Sequence, residues 1–116
     1  NGPESSLFTY ETSVEENNTN KSNYVNFRCY PNPFTNLLIF DFKIDENMTD
    51  VTSELVIYDL EGCIVNTIFN QNLYSGSYSV IWDGTNQQKQ KLNQGTYIYK
   101  LKIGEFEKTG KVTLLK

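Results

Sequence analysis

Gly76-Ser77-Tyr78-Ser79-Val80-Ile81-Trp82-Asp83-Gly84 and, after a polar loop, Gly95-Thr96-Tyr97-Ile98-Tyr99-Lys100-Leu101 decide how this chain folds. Both runs alternate at period two, the pattern of a strand with one face buried and one exposed. Each opens on a glycine two residues ahead of a tyrosine, which suits a strand start where a side chain would clash. Trp82-Asp83-Gly84 ends the first run: glycine tolerates positive φ and the aspartate accepts backbone N–H groups in the turn. Asp83, Thr85 and Asn86 offer oxygens, but residues 83–94 lack the repeated acids of a calcium loop, so no metal is expected here.

Strands of the same kind extend in both directions. Leu38, Phe40, Phe42 and Ile44 alternate with Ile39, Asp41 and Lys43, giving one apolar face over a whole strand. Residues 53–60 and 63–69 are apolar at their centres and join across Asp59-Leu60-Glu61-Gly62 as a hairpin. Residues 96–103 place Tyr97, Tyr99, Leu101 and Ile103 on one face, Gly104-Glu105 turns the chain, and residues 106–115 return, with Gly110 expected to mark a bulge. A short strand at 27–30 leads into Tyr30-Pro31-Asn32-Pro33-Phe34. Each proline there fixes φ and removes a donor, so the segment is extended, kinked and outside any central strand, with Phe34 dropping into the core. No segment keeps a 3.6-residue period. About seven short strands predict an all-β, immunoglobulin-like antiparallel β-sandwich. Eight tyrosines and seven phenylalanines suit a two-sheet core, and the single tryptophan, Trp82, is expected to close one end of it.

Composition sets the outer limits. A chain of 116 residues holds one modest domain. Residues 27–116 read as that domain and residues 1–26, polar and aperiodic apart from Leu7-Phe8-Thr9-Tyr10, as a flexible linker. There is no initiating methionine, no basic start with an apolar run behind it and no apolar stretch long enough to cross a membrane. The chain therefore reads as the C-terminal end of a larger protein. Asn17, Asn20 and Asn47 match the N-glycosylation pattern, which chance readily supplies in asparagine-rich sequence. A net charge of −4 argues against nucleic acid as a partner. The charge is uneven: Lys100, Lys102, Lys108, Lys111 and Lys116 outweigh Glu105 and Glu107 near the end.

Chemistry is sparse. The chain has no histidine, which removes histidine-activated nucleophiles and histidine-containing zinc sites. Asp41, Asp59 and Asp83 lie on different strands or turns with no reason to converge. Cys29 and Cys63 are too few for a disulfide framework; whether they pair is left open by the sequence, and small buried fillers are the simpler reading. No catalytic residue and no cofactor is expected. The lysine-rich end reads either as solvated protection of an edge strand or as a docking surface, and it leaves self-association through strand edges open.

Tyr30-Pro31-Asn32-Pro33-Phe34, Ile57-Tyr58-Asp59-Leu60-Glu61-Gly62, the two Gly-X-Tyr runs around Trp82-Asp83-Gly84 and Lys111-Val112-Thr113-Leu114-Leu115-Lys116 occur in an order that resembles the C-terminal sorting domains of type IX secretion system cargo. The middle motifs also resemble the related immunoglobulin-like domain of flagellar hook-capping proteins. The resemblance covers residues 27–116 and departs where the family usually has a glycine midway through the loop after Trp-Asp-Gly, near Lys89.

The resemblance implies a non-catalytic signal carried by Bacteroidetes cargo. It implies a covalently linked N-terminal passenger, an outer-membrane translocon and a sortase as partners, and delivery through the periplasm to the cell surface or medium. The sortase cut would fall in the linker, within residues 11–25. Gly95, Tyr97, Lys111 and Lys116 would carry recognition, Gly95 and Tyr97 by holding the terminal hairpin in shape. The alternative is an accessory immunoglobulin-like module of a secreted hydrolase, stabilising it or holding carbohydrate.

Overall fold

Among the described residues seven antiparallel strands form, and where apolar residues alternate, as in Leu38–Ile44 and Gly95–Ile103, the alternation decides which face turns inward. A computed structural model describes residues 25–46 and 50–116. Residues 1–24 of the expected linker, with Leu7–Tyr10, Asn17 and Asn20, and also Asn47 lie outside the described residues; Val25 and Asn26, expected as the end of the linker, belong to the first strand. The strands are β1 (Val25–Tyr30), β2 (Leu38–Ile44), β3 (Val51–Tyr58), β4 (Ile64–Leu73), β5 (Gly76–Trp82), β6 (Gly95–Ile103) and β7 (Phe106–Leu114). They form a three-stranded sheet in the order β1-β2-β5 and a four-stranded sheet in the order β4-β3-β6-β7. This is an immunoglobulin-like sandwich in which the fourth strand pairs with the third, rather than joining the sheet of the first, second and fifth.

The core lies between the sheets. Leu38, Phe40, Phe42 and Ile44 from β2 face Leu55 and Ile57 from β3 and Tyr97, Tyr99, Leu101 and Ile103 from β6, all of them buried. Aromatic rings fill the layer in contact pairs: Phe40 meets Tyr99 edge-on at 5.5 Å, and Phe42 stacks on Tyr78 at 5.3 Å and on Phe69 at 5.9 Å. Trp82 closes one end as expected. It is 1% exposed, packs against Phe34 at 5.5 Å and Tyr97 at 5.8 Å, and donates its indole N–H to the Thr85 carbonyl at 2.8 Å.

Turn chemistry fixes the hairpins. Asp59 Oδ1 accepts the N–H groups of Glu61 at 2.9 Å and Cys63 at 3.0 Å, and Gly62 takes the positive φ of 89° that this turn requires. The pairing of β3 with β4 shifts register between Leu55 and Val56 and again between Ile57 and Tyr58. The bulge expected at Gly110 is not there: β7 runs against β6 in unbroken register, with Gly110 opposite Tyr99. The glycine is required because the tyrosine ring occupies the space its side chain would fill.

The cysteines do not pair. Cys29 sits half-buried on β1 and Cys63 is exposed in the turn before β4. Burial pushes the Cys29 thiol up to about 12.

Candidate functional site

The proline segment docks on the edge of the last strand. β7 is an edge of the four-stranded sheet, and its outer backbone groups are met by Asn32 and Phe34. The Asn32 side chain donates from Nδ2 to the Lys111 carbonyl at 3.0 Å and accepts the Thr113 N–H on Oδ1 at 3.0 Å. Phe34 then donates its N–H to the Thr113 carbonyl at 2.9 Å and accepts the Leu115 N–H at 2.8 Å, forming a parallel bridge beside Leu114. Pro31 and Pro33 have no N–H to offer, so the primary amide between them stands in for a peptide group on the sheet edge. Phe34 is 1% exposed and is anchored between this edge and Trp82.

The opposite edge is closed in the same manner. On β4, Gln87 donates its N–H to the Val65 carbonyl at 3.0 Å and accepts the Thr67 N–H on Oε1 at 2.9 Å. Asn66 Nδ2 donates to the Thr85 carbonyl at 2.8 Å, which ties β4 to the loop after Trp82. The two side-chain amides therefore cap both edges of the four-stranded sheet at one end. The loop holding Gln87 is itself built on Asn86, whose Oδ1 accepts the N–H groups of Gln88 at 2.9 Å and Gln90 at 3.0 Å. Lys89 takes a φ of 69° there, a left-handed conformation that favours glycine.

Gly95 opens β6 opposite Leu114, and the clash expected there and at Gly76 is absent: both have open space where a Cβ would project, and their φ values of 152° and 141° are what favours glycine. Tyr97 is opposite Val112, faces the core, and donates its hydroxyl to the Asn93 carbonyl at 2.7 Å. Burial, with Asp59 adding to it, raises its pKa. Lys111 and Lys116 are exposed, Lys111 on the outer sheet face and Lys116 beyond the end of β7. The structure thus joins Gly95 and Tyr97 to β7 through pairing, and leaves the two lysines exposed. Sequence alone does not mark Asn32 and Gln87 as edge-capping residues. The two prolines around Asn32 were a usable signal; Gln87 among its polar neighbours offered none.

The outer face of this sheet is a lattice of alternating charge. Across it, Glu54 is opposite Lys102 and Lys102 opposite Glu107, while Lys100 lies beside Thr109 and Ile98 beside Lys111. Lys100 Nζ reaches Glu107 at 4.0 Å and sits 5.9 Å from the centre of the Tyr58 ring. On the other sheet, Asp41 accepts from Tyr30 Oη at 2.7 Å and Arg28 at 3.1 Å. Desolvation works to raise the Asp41 pKa, but the hydrogen bonds from Tyr30, Ser79 and Arg28 outweigh it and hold the carboxyl below its ordinary range. A shallow depression of about 360 Å³ beside it is lined by polar groups including Lys43, Ser77 and Ser79. Among the described residues no three His, Cys, Asp or Glu side chains gather as metal ligands would.

The fold and these edges place the chain among known domains. Residues 36–104 match the family described as the FlgD Ig-like domain, and the chain belongs to that family. Two solved structures from Porphyromonas gingivalis share the fold. One is dimeric latent PorU, with a TM-score of 0.61 and 20% identity over 78% of this chain. The other is PorZ, described as an essential bacterial surface component of the type-IX secretion system, with a TM-score of 0.50 and 12% identity over 78% of this chain. The chain spans 9% of that PorU chain and 11% of that PorZ chain. No curated protein matches it.

Proposed function

We propose that this domain is a non-catalytic sorting signal of the type IX secretion system, carried at the end of a larger passenger. The outer-membrane translocon and its sortase would be its partners, and the cell surface or medium the passenger's destination. One observation carries the reading most: the proline motif and the terminal lysine-flanked strand, distant in sequence, are one unit in space through Asn32 and Phe34. Separate motifs of the resemblance thus have a shared structural reason to occur together. The fold likeness to a surface component of the same secretion system supports it further. Lys111 and Lys116 are the accessible candidates for recognition; Gly95 and Tyr97 serve by shaping β6. The alternative, an accessory module holding carbohydrate, has less to build on, because the aromatic rings sit mainly in the core and the exposed ones, Tyr30 and Tyr74, lie on different strands and loops.

The test is a fusion of residues 1–116 to the C-terminus of an exported fluorescent protein in a type IX-competent bacterium. Deleting residues 111–116 is a poor control, because Val112 and Leu114 are core residues and the domain would unfold. The pair Lys111→Glu with Lys116→Glu leaves the core intact. The intact fusion should reach the surface or medium, and the charge-reversed one should stay in the periplasm, still folded. An intact, folded fusion that remains in the periplasm would sink the proposal.

A further inference from the structure

The two outer sheet faces differ in kind. On the four-stranded sheet, Glu54, Lys102, Glu107, Lys100 and Lys111 make a lattice of both signs. On the three-stranded sheet, the side chains that point outward from β1, β2 and β5 fall into three cross-strand rows. Asn26, Lys43 and Ser77 form the first, nearest the start of β1; Arg28, Asp41 and Ser79 form the second; Tyr30, Ile39 and Ile81 form the third. The ends of the third row, Tyr30 and Ile81, are exposed, and so is Leu37, one residue ahead of β2. A single exposed isoleucine is ordinary, but three large side chains directly opposite one another make a stripe.

The middle row decides which charge a partner meets. The Asp41 carboxylate is held among its donors, Tyr30 Oη at 2.7 Å, Arg28 at 3.1 Å and the Ser79 hydroxyl. Its side chain is 26% exposed, against 71% for Arg28. The guanidinium gives one donor to Asp41 and lies over the Tyr30 ring, 5.0 Å from its centre, which holds it at the border of the stripe. Its other N–H groups keep the planar fork that suits a carboxylate. Lys43 is exposed in the next row. The accessible charges of this face are therefore two cations beside an apolar stripe, on a chain of net charge −4.

We propose that this face is a docking surface for another protein, and that the segment seated on it brings apolar side chains to the Tyr30–Ile39–Ile81 stripe and a carboxylate to Arg28. A tyrosine and an arginine among aliphatic neighbours, with a polar margin, are the composition of an interface centre. A lipid surface suits the face less well. The stripe lies on the flat of a sheet rather than on a protruding loop, and Asp41 in its neighbourhood would repel anionic headgroups. The proposal rests on the sorting reading, for which it names a second contact with the secretion machinery, on the opposite face of the sandwich from Lys111.

The fluorescent-protein fusion tests it with three variants. Arg28→Glu reverses the charge, Ile81→Asn interrupts the stripe and Arg28→Lys keeps the charge. Both positions are exposed, and thermal melting of the purified 116-residue variants should show each one folded. Arg28→Glu and Ile81→Asn should each lower the fraction delivered to the surface or medium about tenfold, and Arg28→Lys should stay within about threefold of wild type. Glu107→Gln, on the outer face of the other sheet, should leave delivery unchanged. The purified wild-type chain should remain in the supernatant when phosphatidylglycerol vesicles are pelleted. If the intact fusion is delivered and the folded Arg28→Glu and Ile81→Asn fusions are delivered equally well, the proposal falls while the sorting reading stands. Pelleting with the vesicles would assign the stripe and its cations to lipid and overturn the proposal. An intact fusion retained in the periplasm removes the sorting reading and this surface with it.

Discussion

The hydroxyl-bearing edge of the Tyr99 ring lies across the backbone of Gly110, so that a Cβ added to Gly110 would collide with the Tyr99 hydroxyl and ring edge. The two residues are opposite each other on β6 and β7, and the ring covers the stretch of strand where the glycine has nothing to pack. Gly110→Ala should therefore destabilise the domain by about 1–3 kcal/mol, an overpacking cost. In a Tyr99→Leu background the same change should cost much less. Urea unfolding of the four variants measures the coupling; equal costs in both backgrounds would show that the ring is not the reason for the glycine.

Asn32 acts as a peptide group without a peptide. Asn32→Ala leaves the Thr113 N–H and the Lys111 carbonyl without their partner and should cost about 1 kcal/mol, the small size reflecting water access at this edge. Asn32→Asp keeps an acceptor for Thr113 but loses the donor to Lys111. Amide exchange should accelerate at Thr113 in the alanine variant and stay slow in the aspartate one. Unchanged exchange at Thr113 in both would contradict the clamp.

Lys89 holds a left-handed conformation, φ 69°, in a turn secured by its own N–H to the Asn86 carbonyl at 3.0 Å. A non-glycine residue costs roughly 1 kcal/mol or more in that region. Lys89→Gly should stabilise the domain by about 0.5–1 kcal/mol, the gain being reduced by the extra freedom of glycine in the unfolded chain. The denaturation midpoint should rise; a fall would mean that the lysine side chain contributes more than its backbone costs.

Alkali should unfold this domain before it affects a reference protein lacking buried acids of this kind. Burial pushes the Cys29 thiol up to about 12 from 9.0, and burial, assisted by Cys29, raises the Tyr99 hydroxyl above 10.0. Both groups hold their protons more tightly folded than unfolded. Their contribution is fully present below the unfolded pKa of Cys29 and is lost as pH rises from there toward the folded value. Stability should be level through neutrality and fall from about pH 9 upward. Cys29→Ala should flatten part of that slope. In the same protein a thiol reagent should label exposed Cys63 readily and Cys29 only on unfolding. A level profile up to about pH 11 would refute the burial argument.

What could be read from sequence followed from local periodicity. The alternation in β2 gave its full length and its buried face, and the Trp-Asp-Gly turn placed Trp82 at a core end. The apolar pattern of β4 ends at Phe69, yet the strand continues to Leu73, because Asn70, Gln71 and Asn72 are polar residues on an edge strand whose side chains face water. A glycine inside a strand pattern suggests a bulge at Gly110, because sequence shows that a glycine is present but not which ring passes over it. The lysine-flanked terminal strand was legible as a surface. Its closure by Asn32 was not, since the bonds join residues 79 and 81 positions apart. The prolines signalled a missing donor, but not which distant carbonyl and amide would take its replacement.

The parallel bridge of Phe34 beside Leu114 has a mechanical consequence. If the chain before β1 is pulled one way while the last residues are held, the two parallel segments are drawn past each other along their length. The bonds at Thr113 and Leu115, and the Asn32 amide with them, are then loaded together rather than peeled one at a time. A domain tethered through its two ends would keep its shape under tension until that small patch of shared bonds gives way at once.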